Sequence, residues 1–279
     1  MLRKQPFDYS SAFTDELKAR IEKFTISPST LNKYLECPRA FLYSTVLSIP
    51  IKDKDNSNAR YGTAIHSTLQ WAINYAKENN RYPDLQRVIS CFEKNLSMQE
   101  FESADKRDEY SVRGKKSIEK YYKQMLETPH NRIMATEYSF DFVPFENNFL
   151  KGFIDRIEKN DDGTVEVYDY KTGSAKPKSQ IADGKDYENY LNQLRFYKYA
   201  YEIQNPDVKV SRAGLIFVEE PHSNFYIDLT KEDNKNIKEK IEFAYKNISE
   251  LNFEPPKLDD RKCDYCDFKH LCKLNDFCS

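Results

Sequence analysis

The first part of the chain, residues 1–130, places its apolar side chains at helical spacing. Apolar residues three and four positions apart form one stripe along a helix, so the pattern predicts amphipathic helices with one buried side. The pair Ser27 and Pro28 is a typical start for the first of them. The predicted buried positions are Tyr34, Leu35, Phe41, Leu42 and Val46, then Ile65, Leu69, Ala72, Ile73 and Ala76, then Leu85, Val88, Ile89, Phe92 and Leu96, and finally Ile118, Tyr121, Tyr122, Met125 and Leu126.

Strand patterns replace the helical ones after residue 131. The runs RIMATEYSFDFV, FLKGFIDRIE and TVEVYDYK follow one another closely, and AGLIFV and NFYIDL come later. Between these groups lies a long helix whose predicted buried side carries Tyr187, Tyr190, Leu191, Leu194 and Tyr201, and a charged amphipathic helix from Lys231 to Leu251 follows the last strand. This order predicts an α/β fold with a central mixed sheet flanked by helices.

The sequence shows no repeat, no low-complexity tract and no long linker within its 279 residues. We therefore expect a single composite unit. Its predicted parts are a mainly helical N-terminal part (1–130), a core with the sheet (131–254) and a cysteine-rich tail (255–279).

The composition is that of a globular protein, with 39% hydrophobic and 32% charged residues. No apolar run approaches the ~20 residues that a membrane helix requires, and the first residues lack a secretory apolar segment, so we expect no membrane partner and a cytoplasmic location. The net charge of −2 argues against binding a polyanion through overall charge, although it leaves room for a local basic groove. The 20 Tyr and 18 Phe are expected mainly to fill the core.

The stretch VEVYDYKTG, Val165 to Gly173, joins a strand pattern to charged side chains. A three-residue loop ending at Gly163 would connect it to the preceding strand as a hairpin, with Gly163 in the left-handed conformation. Asn160 would then pair with Thr164. The same register sets Asp155 directly across from Asp169, on one face of the sheet.

Two carboxylates on one apolar face repel each other and require a cation. The neighbours that we expect on this face are Phe153, Ile157, Val167 and Lys171. Lys171 supplies one positive charge, whereas a bound divalent metal would satisfy both carboxylates. A buried Asp–Lys ion pair without chemistry is the alternative interpretation.

The pattern GFIDRIE...VEVYDYKTG resembles the RecB-like branch of the PD-(D/E)XK nuclease superfamily. The resemblance implies a restriction-endonuclease-like fold in which Asp155, Asp169 and the main-chain carbonyl of Tyr170 are metal ligands. Lys171 would position or polarise the attacking water. Asp169 occupies a position where the superfamily accepts Asp or Glu.

Three further elements are similar to those of RecB-like nucleases. NQLRFYKYAY places Gln193 and Tyr197 four residues apart on one helix face, like the QxxxY element that lies beside the catalytic hairpin. YGTAIHSTL is similar to a helix whose His reaches the catalytic metal, so His66 is a candidate ligand that favours Mn²⁺ over Mg²⁺. Glu137 in ATEYSF is a candidate accessory residue.

The tail contains Cys263, Cys266 and Cys272 in a C-x2-C-x5-C group that lacks a nearby fourth ligand. Disulfides are not expected in a reducing compartment. By similarity to AddB-like and CRISPR-associated RecB-like exonucleases, Cys37, which precedes a proline, is the fourth ligand and joins the tail to the N-terminal region. Four thiolates can hold a [4Fe-4S] cluster or a structural zinc, and the resemblance favours iron.

The resemblance implies a metal-dependent DNA nuclease, acting as an exonuclease on single-stranded DNA or DNA ends with Mn²⁺ or Mg²⁺. A helicase or a CRISPR-adaptation protein is the candidate partner. Two alternatives stay open: a non-catalytic DNA-binding or scaffold subunit that keeps the fold, and a nuclease subunit that is active only within a helicase–nuclease repair complex.

Overall fold

The computed structural model describes residues 11–22, 24–51, 55–146, 148–173, 175, 185–255 and 263–273. Its α-helices are α1 (Ser11–Glu22), α2 (Pro28–Glu36), α3 (Pro38–Phe41), α4 (Ser57–Asn79), α5 (Leu85–Ser97), α6 (Ala104–Glu127), α7 (Lys185–Gln204), α8 (Lys231–Ser249) and α9 (Lys269–Lys273). Its strands are β1 (Ile133–Phe145), β2 (Asn148–Lys159), β3 (Val165–Lys171), β4 (Val210–Phe217) and β5 (Phe225–Asp228). A π-helical turn (Leu42–Val46) continues α3, and short 3-10 turns lie at His130–Arg132 and Pro221–Ser223.

The five strands form one mixed sheet in the order β1-β2-β3-β4-β5. Strand β3 pairs antiparallel with β2 and parallel with β4, and β5 returns antiparallel to β4. The parallel step requires a crossover, and α7 supplies it. The predicted α/β fold with a central mixed sheet flanked by helices is confirmed.

The hairpin between β2 and β3 has the predicted register. Arg156 lies opposite Tyr168, and Asn160 donates its backbone N–H to the carbonyl of Thr164 at 2.9 Å. Gly163 has φ +83°, the left-handed conformation that such a loop needs and that glycine adopts without steric cost.

The chain forms two compact units, each with its own core. The first combines residues up to Asp53 with residues 144–151 and residues from Lys235 onward. In it the Phe41 ring packs against Phe253, and the Tyr34 hydroxyl donates to the carbonyl of Asn252 at 2.8 Å. The expectation of a single composite unit stays a prediction.

The second unit contains residues 54–143 and 152–234. Its core joins α4, α5 and α6 to the sheet, because Tyr168, Tyr170 and Ile216 are buried in the same cluster as the apolar stripes of these helices. This packing brings α4 next to the carboxyl end of β3. No described helix is long and apolar enough to cross a membrane.

Three apolar positions differ from the sequence pattern. Leu126 was expected on the buried side of α6, but it is 50% exposed. Phe153 was expected on the buried face beside the carboxylates, but it is 55% exposed. Strand β1 does not keep strict alternation, since Glu137 and Phe142 have φ values of +48° and +61°, and Phe142 points outward with 70% exposure. Such left-handed residues act like bulges, which change which residues face the core.

We expect Gly114→Ala in α6 to destabilise the second unit. A Cβ atom at this position would lie 2.0 Å from Cζ of Phe92 in α5, which is closer than van der Waals contact allows. The overpacking should cost about 1–3 kcal/mol and outweigh the ~1 kcal/mol that Ala gains over Gly in a helix. Urea unfolding of the variant and the wild type measures the difference.

The control is Gly173→Ala, because a Cβ there would meet nothing within 4 Å. The double variant Gly114→Ala with Phe92→Leu should lose less stability than the sum of the two single losses, because the smaller side chain removes the clash with the new Cβ atom. Equal stability of Gly114→Ala and the wild type would show that the helices do not approach this closely.

Candidate active site

The β2–β3 ladder ends where the two predicted carboxylates begin. Arg156 and Tyr168 are the last paired residues. Beyond them the backbone N–H of Tyr170 is bound by the Asp155 side chain, at 2.6 Å from Oδ2. Asp155 and Asp169 are both buried, with 6% and 5% exposure. The hairpin therefore fixes one carboxylate through a backbone hydrogen bond and leaves its second oxygen available.

Helix α4 and strand β1 bring two more ligand-type side chains to Asp155. His66 Nδ1 lies 3.3 Å from Oδ1 of Asp155 and 3.7 Å from Oε1 of Glu137. Among the residues that the structure describes, these three side chains form a group with ligand atoms within 4.8 Å of one another. Glu137, expected from the sequence to be an accessory residue, is thus one of the three side chains of the group. Its backbone is in the left-handed conformation, with a φ of +48°.

The other ring nitrogen of His66 faces the backbone of β3. Its Nε2 lies 3.2 Å from the carbonyl oxygen of Tyr170, which the family resemblance implies is a metal ligand. The His66 ring therefore spans the distance from that carbonyl to the carboxylates of Asp155 and Glu137.

Negative charge controls the protonation of this group. Burial by itself would lower the pKa of His66, but hydrogen bonds to Asp155 and Glu137 outweigh burial and raise the pKa to about 10. Burial, followed by the charge of Asp169, raises the pKa of Asp155 to about 6. Without a metal, His66 is thus a cation that balances the carboxylates at neutral pH.

Asp169 is held by a second set of side chains. Its Oδ1 accepts hydrogen bonds from Gln193 Nε2 at 2.8 Å and from the Tyr197 hydroxyl at 3.0 Å. Gln193 also donates to the Tyr197 oxygen at 2.7 Å and accepts from Lys171 Nζ at 2.9 Å. The Gln-x3-Tyr pair on α7 therefore contacts the hairpin, as the resemblance to the QxxxY element implied.

The second oxygen of Asp169 has no well-aligned hydrogen bond. Lys171 Nζ lies 2.7 Å from Oδ2, but the contact lacks hydrogen-bond geometry, and this buried oxygen has no aligned donor. A buried carboxylate oxygen of this kind is suited to a cation. Separately from Asp169, the oxygens of Asp155 and Glu137 and the imidazole of His66 form a donor set that fits a divalent metal such as Mn²⁺ or Mg²⁺.

A buried arginine that the sequence did not reveal as important packs next to the site. Arg156 is 5% exposed, and its Nε lies 3.0 Å from Oε1 of Glu158. Its Nη1 donates to the hydroxyls of Tyr121 and Tyr170 at 3.1 and 3.2 Å. Because it neighbours Asp155 in β2 and holds the ring of Tyr170, Arg156 links the helical core to the residues of the site. The residue types of β2 did not single it out, because the strand also carries Lys151, Glu158 and Lys159.

The predicted cluster cysteines belong to the first unit. Cys37 is the N-cap residue of α3, and its Sγ accepts from the Ala40 N–H at 3.4 Å. Cys263 and Cys266 are half-buried and lie in a turn in which Cys266 N–H donates to the Cys263 carbonyl, whereas Cys272 is buried in α9. Their joint binding of one cluster stays a prediction.

We expect His66→Gln to lose stability in a pH-dependent way when metal is chelated. A raised pKa means that the folded protein binds the proton more tightly, so the stabilisation is complete below the ordinary value of 6.5 and disappears as the pH rises through about 10. The free energy of unfolding of the variant should be lower than that of the wild type by about 1–3 kcal/mol near neutral pH. Urea unfolding at several pH values in this window measures it.

The matched control is His222→Gln, which removes an exposed histidine from the Pro221–Ser223 turn. Its deficit should not change with pH in this way. A His66→Gln deficit that is constant across the window would contradict the charge balance described above.

Two known proteins are similar to this chain. The chain is 21% identical over 178 residues to a subunit of the ATP-dependent helicase/deoxyribonuclease of Streptococcus uberis, and the match covers 63% of this chain and 16% of that relative. The crystal structure of a candidate exonuclease from Eubacterium rectale superimposes with a TM-score of 0.52 at 14% identity, and the match covers 97% of this chain and 94% of that one. At this identity the second likeness shows the fold alone.

A family profile covers most of the sequence. The profile of the PD-(D/E)XK nuclease superfamily matches residues 25–273, which include both carboxylates of the hairpin, Lys171 and the Gln193–Tyr197 pair. Members of this superfamily are nucleases that use divalent metals. The chain belongs to the PD-(D/E)XK nuclease superfamily.

Proposed function

We propose that this protein is a metal-dependent DNA exonuclease that hydrolyses phosphodiester bonds of single-stranded DNA or at DNA ends. The observation that carries the proposal is the meeting of Asp155, Glu137 and His66 at the end of a hairpin whose other strand presents Asp169 and Lys171. A structural ion pair would need one carboxylate and one cation. This site has three carboxylates, those of Asp155, Asp169 and Glu137, against two cationic side chains, Lys171 and His66.

Asp155, Glu137 and His66, with Asp169 and the Tyr170 carbonyl beside them, would hold the metal. A divalent ion bound there would supply Lewis-acid activation of water and neutralise charge on the phosphate in the transition state. Mn²⁺ or Mg²⁺ suits the oxygens, and the imidazole favours Mn²⁺.

Lys171 would act as a cation and not as a base. Burial would lower the pKa of Lys171, but the charge of Asp169, whose Oδ2 lies 2.7 Å from Nζ, outweighs burial and raises the pKa. The ammonium group can therefore hold the attacking water and donate to a phosphate oxygen. The water oxygen would form a bond to phosphorus and release a proton to solvent as the bond to the leaving sugar oxygen breaks in line, and the leaving oxygen would take up a proton from solvent.

Gln193 and Tyr197 would be positioning residues. Both donate to Oδ1 of Asp169, and Gln193 also accepts from Lys171, so the amide fixes the carboxylate and the ammonium relative to each other. Preorganisation of this kind reduces the rearrangement needed at the moment of reaction.

We also propose that Cys37, Cys263, Cys266 and Cys272 bind a [4Fe-4S] cluster, with a structural zinc ion as the alternative. The support is the C-x2-C-x5-C spacing together with the match of the superfamily profile, which extends to residue 273. The role of the cluster would be structural, because it would close a loop of more than two hundred residues.

A second candidate function is a nuclease that is active only with a partner. It is favoured by the similarity to a subunit of an ATP-dependent helicase/deoxyribonuclease, of which the match covers only 16%. A helicase is the candidate partner, and a CRISPR-adaptation protein is the alternative that the cysteine pattern suggested. A non-catalytic DNA-binding subunit is disfavoured, since Asp155, Asp169 and Lys171 are all present.

We expect Lys171→Ala to reduce cleavage of end-labelled single-stranded DNA by about 10²-fold or more, because it removes a cation from the reacting phosphate. The assay follows product length with Mn²⁺ or Mg²⁺ on single-stranded and duplex substrates. Products that shorten progressively from one end indicate an exonuclease and give its polarity.

Lys159→Ala is the matched control, since Lys159 is an exposed lysine at the far end of β2. It should cleave like the wild type. Equal residual cleavage by the wild type and Lys171→Ala would support a non-catalytic subunit. Activity that emerges only after a helicase is added would support the partner-dependent nuclease.

For the cysteines, we expect anaerobically purified protein to be brown, with broad visible absorption and about four iron atoms per chain. Ser substitution of Cys37 alone should reduce iron content and thermal stability, whereas Cys91→Ser is the matched control on α5 and should retain the colour. Colourless protein with one zinc per chain would contradict the iron–sulfur assignment.

A further inference from the structure

A second cavity lies next to the candidate active site on the same helix. The cavity beside the metal group is about 480 Å³ and is lined by His66, Glu137 and Ser67, among others. The second, of about 540 Å³, lies between α4 and α5 and is lined by Trp71, Arg87 and Lys94. Ser67 lines both cavities, so they adjoin there.

The second cavity presents an aromatic surface. Trp71, the single tryptophan of the chain, is half-buried, with one part packed against the core of the second unit. The Tyr75 ring lies 5.7 Å from it, and the neighbouring wall ends at Met98, which is 64% exposed. A large half-exposed indole in a concave site is a suitable platform for a flat apolar ligand group.

The cavity also carries unneutralised positive charge. The Arg87 guanidinium lies over the Tyr75 ring at 4.6 Å and donates to its hydroxyl at 2.8 Å. Neither Arg87 nor Lys94 forms an ion pair within the described part of the chain. The one acidic side chain in the lining, Asp84, accepts from the Arg87 backbone N–H as the N-cap of α5.

The two cavities adjoin on the surface of α4. Ser67, which lines both, lies four residues before Trp71, so these two side chains are neighbours on one face of the helix, about 6 Å apart along its axis. A strand whose phosphate lies in the cavity of His66 and Glu137 would therefore pass Ser67 and reach the indole within a few nucleotides.

We propose that the Trp71 cavity binds single-stranded DNA next to the scissile phosphate: one base stacks on Trp71, and the flanking phosphates contact Lys94 and Arg87. The inference rests on the proposed function and adds a substrate-binding subsite to it. An unpaired base offers its face to an aromatic side chain, whereas a duplex hides that face, so the cavity selects single strands. Cations and an aromatic platform together are the usual composition of such sites.

Trp71 provides a direct readout of binding, independent of cleavage. With a chelator present, an oligothymidylate of about 12 nucleotides, within the range that single-strand sites cover, is titrated into the whole protein. We expect saturable quenching of the indole fluorescence. Trp71→Leu should weaken binding, measured by anisotropy of a labelled oligonucleotide, by about 5-fold to 150-fold, and Trp71→Phe should weaken it less because an aromatic face remains.

Lys94→Gln tests the phosphate contact through salt. The slope of log affinity against log salt should become shallower by about 0.7, the value for one lost contact to a single strand. Lys116→Gln on α6 is the matched control, because Lys116 is an exposed lysine outside the cavity lining, and it should keep the wild-type slope. Wild-type thermal stability of both variants shows that they are folded.

The outcomes separate this inference from the proposed function. Cleavage by the wild type, with unchanged indole fluorescence and wild-type affinity of Trp71→Leu, would overturn the subsite and leave the nuclease intact. Quenching by the oligothymidylate without any metal-dependent cleavage would support the subsite and count against the enzyme. Tighter binding of oligouridylate than of oligothymidylate would assign the cavity to RNA and overturn the proposal.

Discussion

The burial of several carboxylates at one end of a β-hairpin is the constraint on which the rest of the site depends. Asp155 and Asp169 are almost inaccessible, and Glu137 on the neighbouring strand lies close to Asp155. Ionised groups in such a place are costly unless cations and donors surround them. The structure meets this demand with two cationic side chains, His66 on one side and Lys171 on the other.

The two halves of the site differ in a way that suits metal chemistry. The Asp169 half is fixed, because Gln193 and Tyr197 donate to one carboxylate oxygen and Lys171 lies beside the other. The Asp155 half has a protonated imidazole where a metal would be expected. A histidine must lose its extra proton to bind a metal. A divalent ion would therefore replace the positive charge of the imidazolium with its own, and the surrounding side chains would need to move little. The raised pKa of His66 and the proposed metal site are thus two consequences of the same negative field.

Local patterns allowed the hairpin to be predicted in detail. Apolar residues alternate along both strands, and a slip of the register by one residue would turn the apolar face outward. The turn glycine Gly163 and the pairing of Asn160 with Thr164 fix the same register. The spacing of Gln193 and Tyr197 is also a local property of a helix. These features follow from short-range geometry.

Features that depend on tertiary contacts were not predictable in the same way. The left-handed residues Glu137 and Phe142 alter the alternation of β1, and no residue type in that strand indicates them. Arg156 looked like an ordinary strand residue, yet it is buried beneath Tyr170, where hydroxyls of two tyrosines and Glu158 balance it. Phe153 was expected in the core and is exposed, and it lies beyond Arg156, where the pairing of β2 with β3 ends.

The most direct test of the account is a calorimetric titration of Mn²⁺ into metal-free protein, with the wild type compared with Asp155→Asn. Both proteins keep the same shape at residue 155, but the variant lacks the charge on which the proposed site depends. The account predicts saturable binding to the wild type, accompanied by proton release, and a large loss of affinity in the variant. Equal Mn²⁺ affinity of the two proteins would contradict it.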